Sequence, residues 1–179
     1  IKDYCESNNI ILLEDNCESL GSETFYNKAG NFSLGSTFSF FVAHHMSTIE
    51  GGMVCTDDLE LAEMLKIVRA NGWDRNLSQS QQLKWRKKFN IESVFNAKYT
   101  FYDLGFKFRP TEITVFLGIY QLQFLDENIK TREKNYMKFE TKVKENSDLV
   151  ILKHDHIKTL STFAFPIVCK TPEMRTKYL

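Results

Sequence analysis

The chain has 179 residues, 42% hydrophobic and 13% aromatic, enough for one sizeable globular domain with a real core. Its 23 Lys and Arg balance 23 Asp and Glu, so bulk electrostatics give it no hold on nucleic acid or on a membrane surface. No apolar run approaches bilayer length, the N-terminus has no signal-peptide pattern, and the four scattered cysteines (Cys5, Cys17, Cys55, Cys169) read as free thiols of a cytoplasmic protein, not as a metal site.

In chain order, Ile1-Lys2-Asp3-Tyr4-Cys5 reads as the middle of an amphipathic helix. Ile10-Ile11-Leu12-Leu13 is a continuous apolar run ending in Glu14-Asp15-Asn16, which suits a parallel strand buried on both faces with polar residues at its carboxyl end. Ligands in open α/β sheets collect at such ends. Ser36 to Val42 and Gly52 to Thr56 are two further strands, separated by a loop carrying His44 and His45. Asp57-Asp58 offers an N-cap for a helix with Leu61, Met64, Leu65 and Val68 on one face, stopped at Gly72. The polar stretch from Ser78 to Thr100 reads as an irregular excursion. Pro110-Thr111 opens one long helix, with Ile113, Phe116, Leu117, Tyr120, Phe124, Leu125 and Ile129 on a face, running to about Glu145. Strands follow, notably Thr162 to Val168, and Met174 to Leu179 reads as a helix just begun. Every glycine falls at or before Gly118. That shift supports a boundary, with 1–110 the C-terminal part of a large domain and 111–179 a linking helix and the start of a smaller one. The ends read as those of a fragment.

Several residues could carry chemistry. Asp15, at a strand end, suits pairing with a ring nitrogen, although a turn carboxylate has the same sequence signature. Ser36, Thr37 and Ser39 before a loop suit a phosphate cradle, or simply a strand's polar face. His44-His45 has no carboxylate or thiol at metal-ligand spacing beside it. His154-Asp155-His156 lies among lysines and reads as surface. Glu50-Gly51-Gly52 is a tight turn.

Taken singly these signals are weak, but their order is specific. Asp15, Glu18, Gly21, Gly30, Gly35, Ser39-Phe40, His44 and Thr48-x-Glu50-Gly51-Gly52 resemble the DegT/DnrJ/EryC1/StrS family of pyridoxal-phosphate (PLP) nucleotide-sugar aminotransferases. Asn71-Gly72-Trp73-Asp74-Arg75-Asn76, then Leu104 to Glu112, Gly118 and Gln121-Leu122 continue the likeness across the chain. The resemblance implies an α/β fold: part of a PLP-dependent transferase of the aspartate aminotransferase-like type (fold type I), with a three-layer α/β/α large domain and the start of an α+β C-terminal domain.

His44 stands where such enzymes carry the lysine that holds the cofactor. This resembles the family's dehydratase branch. Imidazole forms no stable imine but moves protons near neutral pH. The absence of cysteine from Asn71 to Thr100 matches the GDP-sugar type of that branch, which has no iron–sulfur cluster.

Carried over by position, the resemblance implies His44 as catalytic base, with Asp15 at the pyridine nitrogen, Glu18 near the ring hydroxyl and Ser39 at the cofactor phosphate. Arg75, Asn76 and Arg109 would meet substrate or a neighbouring subunit's site. The cofactor would be PLP or its pyridoxamine form, the partners glutamate and a nucleotide sugar, and the assembly a homodimer. The implied reaction removes the C3 hydroxyl of a nucleotide-linked 4-keto-6-deoxy sugar. An aminotransferase using an unusual base and a non-catalytic member are the alternatives. Asn71 and Lys107 depart from the histidine and asparagine usual there, which bears on substrate choice. Lys107 could also offer the cofactor a displaced amine.

Overall fold

A computed structural model describes all residues, Ile1–Leu179. Contacts divide them into two units, one made of Ile1–Val54 and Ile113–Leu179, the other of Cys55–Glu112. In chain order the elements are α1 (Lys2–Ser7), β1 (Leu13–Asp15), β2 (Glu23–Thr24), β3 (Gly35–Ser39) and β4 (Gly52–Cys55). Then come α2 (Leu59–Val68), a 3-10 turn (Asp74–Asn76), α3 (Gln79–Lys88) and α4 (Val94–Ala97). The chain closes with α5 (Glu112–Leu122), α6 (Leu125–Lys144), β5 (Leu149–Val150), β6 (Ile157–Thr159), β7 (Val168–Cys169) and α7 (Pro172–Tyr178).

In the first unit the sheet runs β1-β3-β4. β1 and β3 are parallel, with Leu13 opposite Gly35 and Asp15 opposite Thr37, so their carboxyl ends finish side by side. The connection between them is held from below. The Glu14 carboxylate accepts the N–H groups of Gly30 and Phe32, both at 2.8 Å, and the Ser33 hydroxyl at 3.0 Å. The C-terminal part of the unit returns onto this region. β6 pairs antiparallel with β2, and β5 with β7. α6 lies close by at Gly21, where φ is +86° and an added Cβ would collide with Ile129 Cδ1.

In the second unit Asp58 caps α2 by accepting from Leu61 N–H at 2.9 Å. Ile67, Leu77, Trp85 and Tyr102 form a core against which Met64 and Ile91 pack. Two carboxylates enter it with partners, as buried charge must. Asp74 accepts from Arg86 Nε at 2.8 Å and Tyr102 Oη at 3.1 Å. Glu63 accepts from Trp85 Nε1 at 2.7 Å and Lys84 Nζ at 3.1 Å.

The structure corrects several sequence expectations. β1 is only three residues long, and Ile10, Ile11 and Leu13 are exposed rather than buried on both faces, because no element of this chain covers them. β3 stops at Ser39 instead of reaching Val42, since the backbone must turn into the left-handed region at Ala43 (φ 73°). The stretch from Ser78 to Thr100 is not irregular: it holds α3 and α4. The long helix from Thr111 to Glu145 is two helices, broken at Gln123-Phe124. Thr162 to Val168 is mostly not strand; β7 takes only its last residue, and the other strands there are short. α7 starts at Pro172, capped by Thr171. His154 is half-buried, not free surface, with Nε2 2.6 Å from Glu140 Oε1.

Candidate active site

The parallel register sets Asp15 beside Thr37. Asp15 Oδ1 accepts the Thr37 hydroxyl at 3.0 Å and the Cys17 N–H at 3.2 Å. The Cys17 N–H, then the Thr37 hydroxyl, hold the exposed carboxyl below the usual aspartate range. An ionised carboxylate is thus fixed at the strand end. Two residues beyond Thr37, Ser39 closes β3, and its Oγ accepts the Phe41 N–H at 3.3 Å. Glu18 follows Asp15 by three positions and is exposed.

The loop after β3 is tied at its base by Phe40 N–H to Gly51 O at 2.9 Å and Thr48 N–H to Phe40 O at 2.8 Å. Its Thr48 hydroxyl donates to Glu50 O at 2.9 Å. Gly52 is required, since a Cβ there would lie 2.8 Å from Phe38 O. Ala43 (φ 73°) and Ile49 (φ 72°) hold left-handed backbone conformations, which are uncommon for Ala and a genuine outlier for a β-branched residue. Such strain persists only where surroundings impose it.

His44, at the head of this loop, packs its ring against Phe163 (centroids 4.9 Å) and edge-on to Phe41 (6.1 Å). Its Nδ1 is buried without a partner. His45 points elsewhere: it is buried, and its Nε2 lies 2.9 Å from Ser161 O.

Beside this loop lies a cavity of about 520 Å³ lined by residues including Glu18, Ser22, Tyr136, His156, Ser161 and Phe163. Phe163 is common to the cavity and to His44, and so connects Glu18 with the histidine loop. The structure therefore brings Asp15, Ser39, His44 and Glu18 into one unit. Ser161 and Phe163 carry little signal in sequence: the aromatic run Phe163-x-Phe165 has only the pattern of a strand.

The other three candidates belong to the second unit. Arg75 stacks on Trp73, its Cζ 3.7 Å from the ring centroid, and donates to Lys98 O at 2.6 Å. Asn76 and Arg109 are exposed. Lys107 pairs with Ala70 across an isolated antiparallel bridge, and Asn71 (φ 62°) donates to Phe106 O at 2.8 Å.

The sequence profile of the DegT/DnrJ/EryC1/StrS aminotransferase family matches residues 1–178. The chain belongs to this family. Among its relatives, GDP-4-keto-6-deoxy-D-mannose 3-dehydratase of Escherichia coli O55:H7 is 40% identical over 159 residues, which is 88% of this chain and 40% of that protein. The E. coli GDP-4-keto-6-deoxy-D-mannose-3-dehydratase structure with bound hydrated PLP has a TM-score of 0.83 and 36% identity, over 96% of this chain and 43% of that one. A GDP-4-keto-6-deoxymannose-3-dehydratase structure with a trapped PLP–glutamate geminal diamine has a TM-score of 0.81 and 35% identity, over 96% and 43%. The chain has the α/β fold of these PLP-dependent family members, and spans about two-fifths of the length of the relatives it matches.

Proposed function

We propose that the protein is a PLP/pyridoxamine-phosphate 3-dehydratase of this family. It removes the C3 hydroxyl of a nucleotide-linked 4-keto-6-deoxy sugar, with glutamate as amine donor. The observation that carries this reading is His44 heading the loop between β3 and β4, packed on Phe163, where the family's aminotransferases use a lysine. The similarity to dehydratases solved with PLP and with a PLP–glutamate adduct supports the same reading.

The residues present fit the cofactor. Asp15 is ionised and pinned at one strand end, Ser39 and the turn after it stand at the adjacent end, and neither is sealed in by side chains. When bound, the cofactor supplies the amine that joins the sugar C4 carbonyl and a ring that accepts electrons. Asp15 would pair with the pyridine nitrogen and keep it protonated, Ser39 would hold the phosphate, and Glu18 would stand by the ring hydroxyl. With the cofactor and sugar in place, His44 would act as the base and then return a proton to the departing C3 hydroxyl. Because Nδ1 is enclosed, we assign both transfers to Nε2. Arg75, Asn76 and Arg109 contact substrate or the site of a second subunit. We place the complete protein in the cytoplasm as a homodimer whose large domain ends near residue 110. The apolar side chains exposed on α5, Ile113, Phe116 and Ile119 among them, support a partner surface. No helix is long and apolar enough to cross a membrane.

The test uses the complete protein with PLP, glutamate and a panel of nucleotide 4-keto-6-deoxy sugars, with products identified by mass. A 3-deoxy sugar plus ammonia is expected, and an aminosugar as main product would overturn the assignment. His44→Asn should keep the cofactor and lose about 10²–10⁴-fold in elimination rate. His44→Lys should restore a cofactor–protein imine, visible in the absorbance spectrum.

A further inference from the structure

We infer that His45 is a positioning residue for His44, acting through the Ser161 carbonyl and the backbone that carries the Phe163 ring. This rests on the dehydratase reading, because His44 is the group being positioned.

A carbonyl oxygen only accepts, so at 2.9 Å from Ser161 O the His45 Nε2 must carry the hydrogen. In a neutral ring that leaves Nδ1 as the bare nitrogen, and Nδ1 is indeed buried with no donor near it. Burial pushes the His45 pKa down and outweighs the upward pull of the Ser161 hydrogen bond, with the neighbouring Arg132 and His44 adding to the downward shift. His45 is therefore a neutral, single-tautomer donor rather than a second base.

Its acceptor is unusually well fixed. Ser161 is fully buried, its Oγ donates to Leu20 O at 2.6 Å, and its N–H donates to Ser22 Oγ at 3.2 Å. The same carbonyl also accepts from Ser22 Oγ at 3.1 Å, so both of its lone pairs are engaged. One and two residues on, Arg132 Nη1 donates to the carbonyls of Thr162 and Phe163 at 3.0 and 3.2 Å. The Phe163 ring that packs on His44 thus hangs from a segment pinned at each of residues 161 to 163.

The other end of the link is the loop itself. It passes through left-handed backbone at Ala43 and Ile49 and needs anchors to stay there. Gln121 Oε1 holds Ser47 N–H at 3.0 Å, and His45 is the anchor directly beside His44. Removing the His45 donor lets the loop and the Phe163 segment move apart, and a displacement of about 1 Å at a reacting group can cost on the order of 10²-fold.

The experiment uses the complete protein loaded with PLP and three variants. His45→Leu removes the donor. His45→Gln keeps an N–H donor at the reach of Nε2. Phe163→Leu removes the ring while leaving His45 alone. We expect His45→Leu and Phe163→Leu to lower kcat about 10- to 100-fold while KM for the nucleotide sugar and cofactor occupancy stay near wild type. His45→Gln should recover most of the rate. NMR on histidine-labelled protein gives a readout independent of turnover. Wild type should show His45 as the Nε2–H tautomer and a nuclear Overhauser contact between the His44 and Phe163 rings, lost in His45→Leu and kept in His45→Gln.

The proposal is overturned if the ring contact survives in His45→Leu, if Gln performs no better than Leu, or if His45 shows the Nδ1–H tautomer. Should His45→Leu not fold, the Gln and Phe163 variants and the wild-type tautomer decide the matter. A protein that yields no 3-deoxy product sinks the dehydratase reading alone, while the ring contact and tautomer still judge the positioning link.

Discussion

Glu14 and Asp15 are adjacent carboxylates in a three-residue strand, and alternation sends them to opposite faces. Asp15 ends with an exposed carboxylate at the sheet's rim, whereas Glu14 is enclosed by three donors from residues 30–33. Glu14→Ala should destabilise the protein by about 1–3 kcal/mol, because two backbone N–H groups lose their acceptor; a urea midpoint equal to wild type would contradict this. Asp15→Asn should lower stability only slightly, since the amide oxygen can still accept from Thr37 and Cys17, but weaken PLP binding at least about 10-fold, measured by absorbance titration. Because the Asp15 pKa lies below the ordinary range, its charge is complete throughout the neutral region, so that binding should show no dependence on this group between pH 6 and 8. In sequence, the position of Asp15 at a strand end was legible from the apolar run that precedes it. Glu14 was not, because its role depends on a loop that returns 16 residues later. Ser161 was still less visible: its 139-residue reach to Ser22 is a tertiary fact with no local signature.

At the scale of elements, the outcome followed local chemistry more than polarity. α3 carries few apolar residues, so its stretch gave no helical stripe, and Trp85 is its one buried residue, joined to the core also through Arg86–Asp74 and Lys84–Glu63. Its start, however, was written in Ser78-x-x-Gln81. The structure has the reciprocal capping box, with Ser78 N–H to Gln81 Oε1 at 3.0 Å and Gln81 N–H to Ser78 Oγ at 3.4 Å. Ser78→Ala should therefore cost about 1 kcal/mol, read as a lower unfolding midpoint with Ser78→Asp close to wild type. The opposite misreading occurred at α5 and α6. Their apolar positions run on through Phe124, so periodicity joined them, yet Phe124 N–H bonds to Gln121 O at 3.0 Å, a tight turn that ends one helix and starts the next. β4 and the capped start of α2 read correctly because each had a turn or cap residue at its boundary.

Across the whole molecule, buried carboxylates recur as the means by which polar helices are held. Glu140 on α6 accepts Lys144 Nζ at 2.7 Å and pairs with His154 beyond β5, while Glu63 on α2 serves Trp85 and Lys84 on α3. The Lys144 hydrogen bond, then that of His154, set the Glu140 pKa below its ordinary value. For Glu63, burial works to raise the pKa, but the hydrogen bonds from Trp85 and Lys84 prevail and the net shift is downward. Both groups bind their proton less readily folded than unfolded. Their contribution is present in full above the unfolded carboxylate pKa and is lost as pH falls through the lower folded values. From these two carboxylates stability should be flat from neutrality down to about pH 5 and fall below it, while His45, whose folded pKa is also lowered, adds a loss that begins as pH falls through the ordinary histidine range. Glu140→Gln tests the origin of that slope in the first unit. It should lower the urea midpoint at pH 7, since Gln cannot satisfy Lys144 and His154 as a carboxylate does, and it should flatten the fall below pH 5. A Glu140→Gln protein whose stability declines with acid as steeply as wild type would move the titration to other carboxylates and leave Glu140 as packing alone.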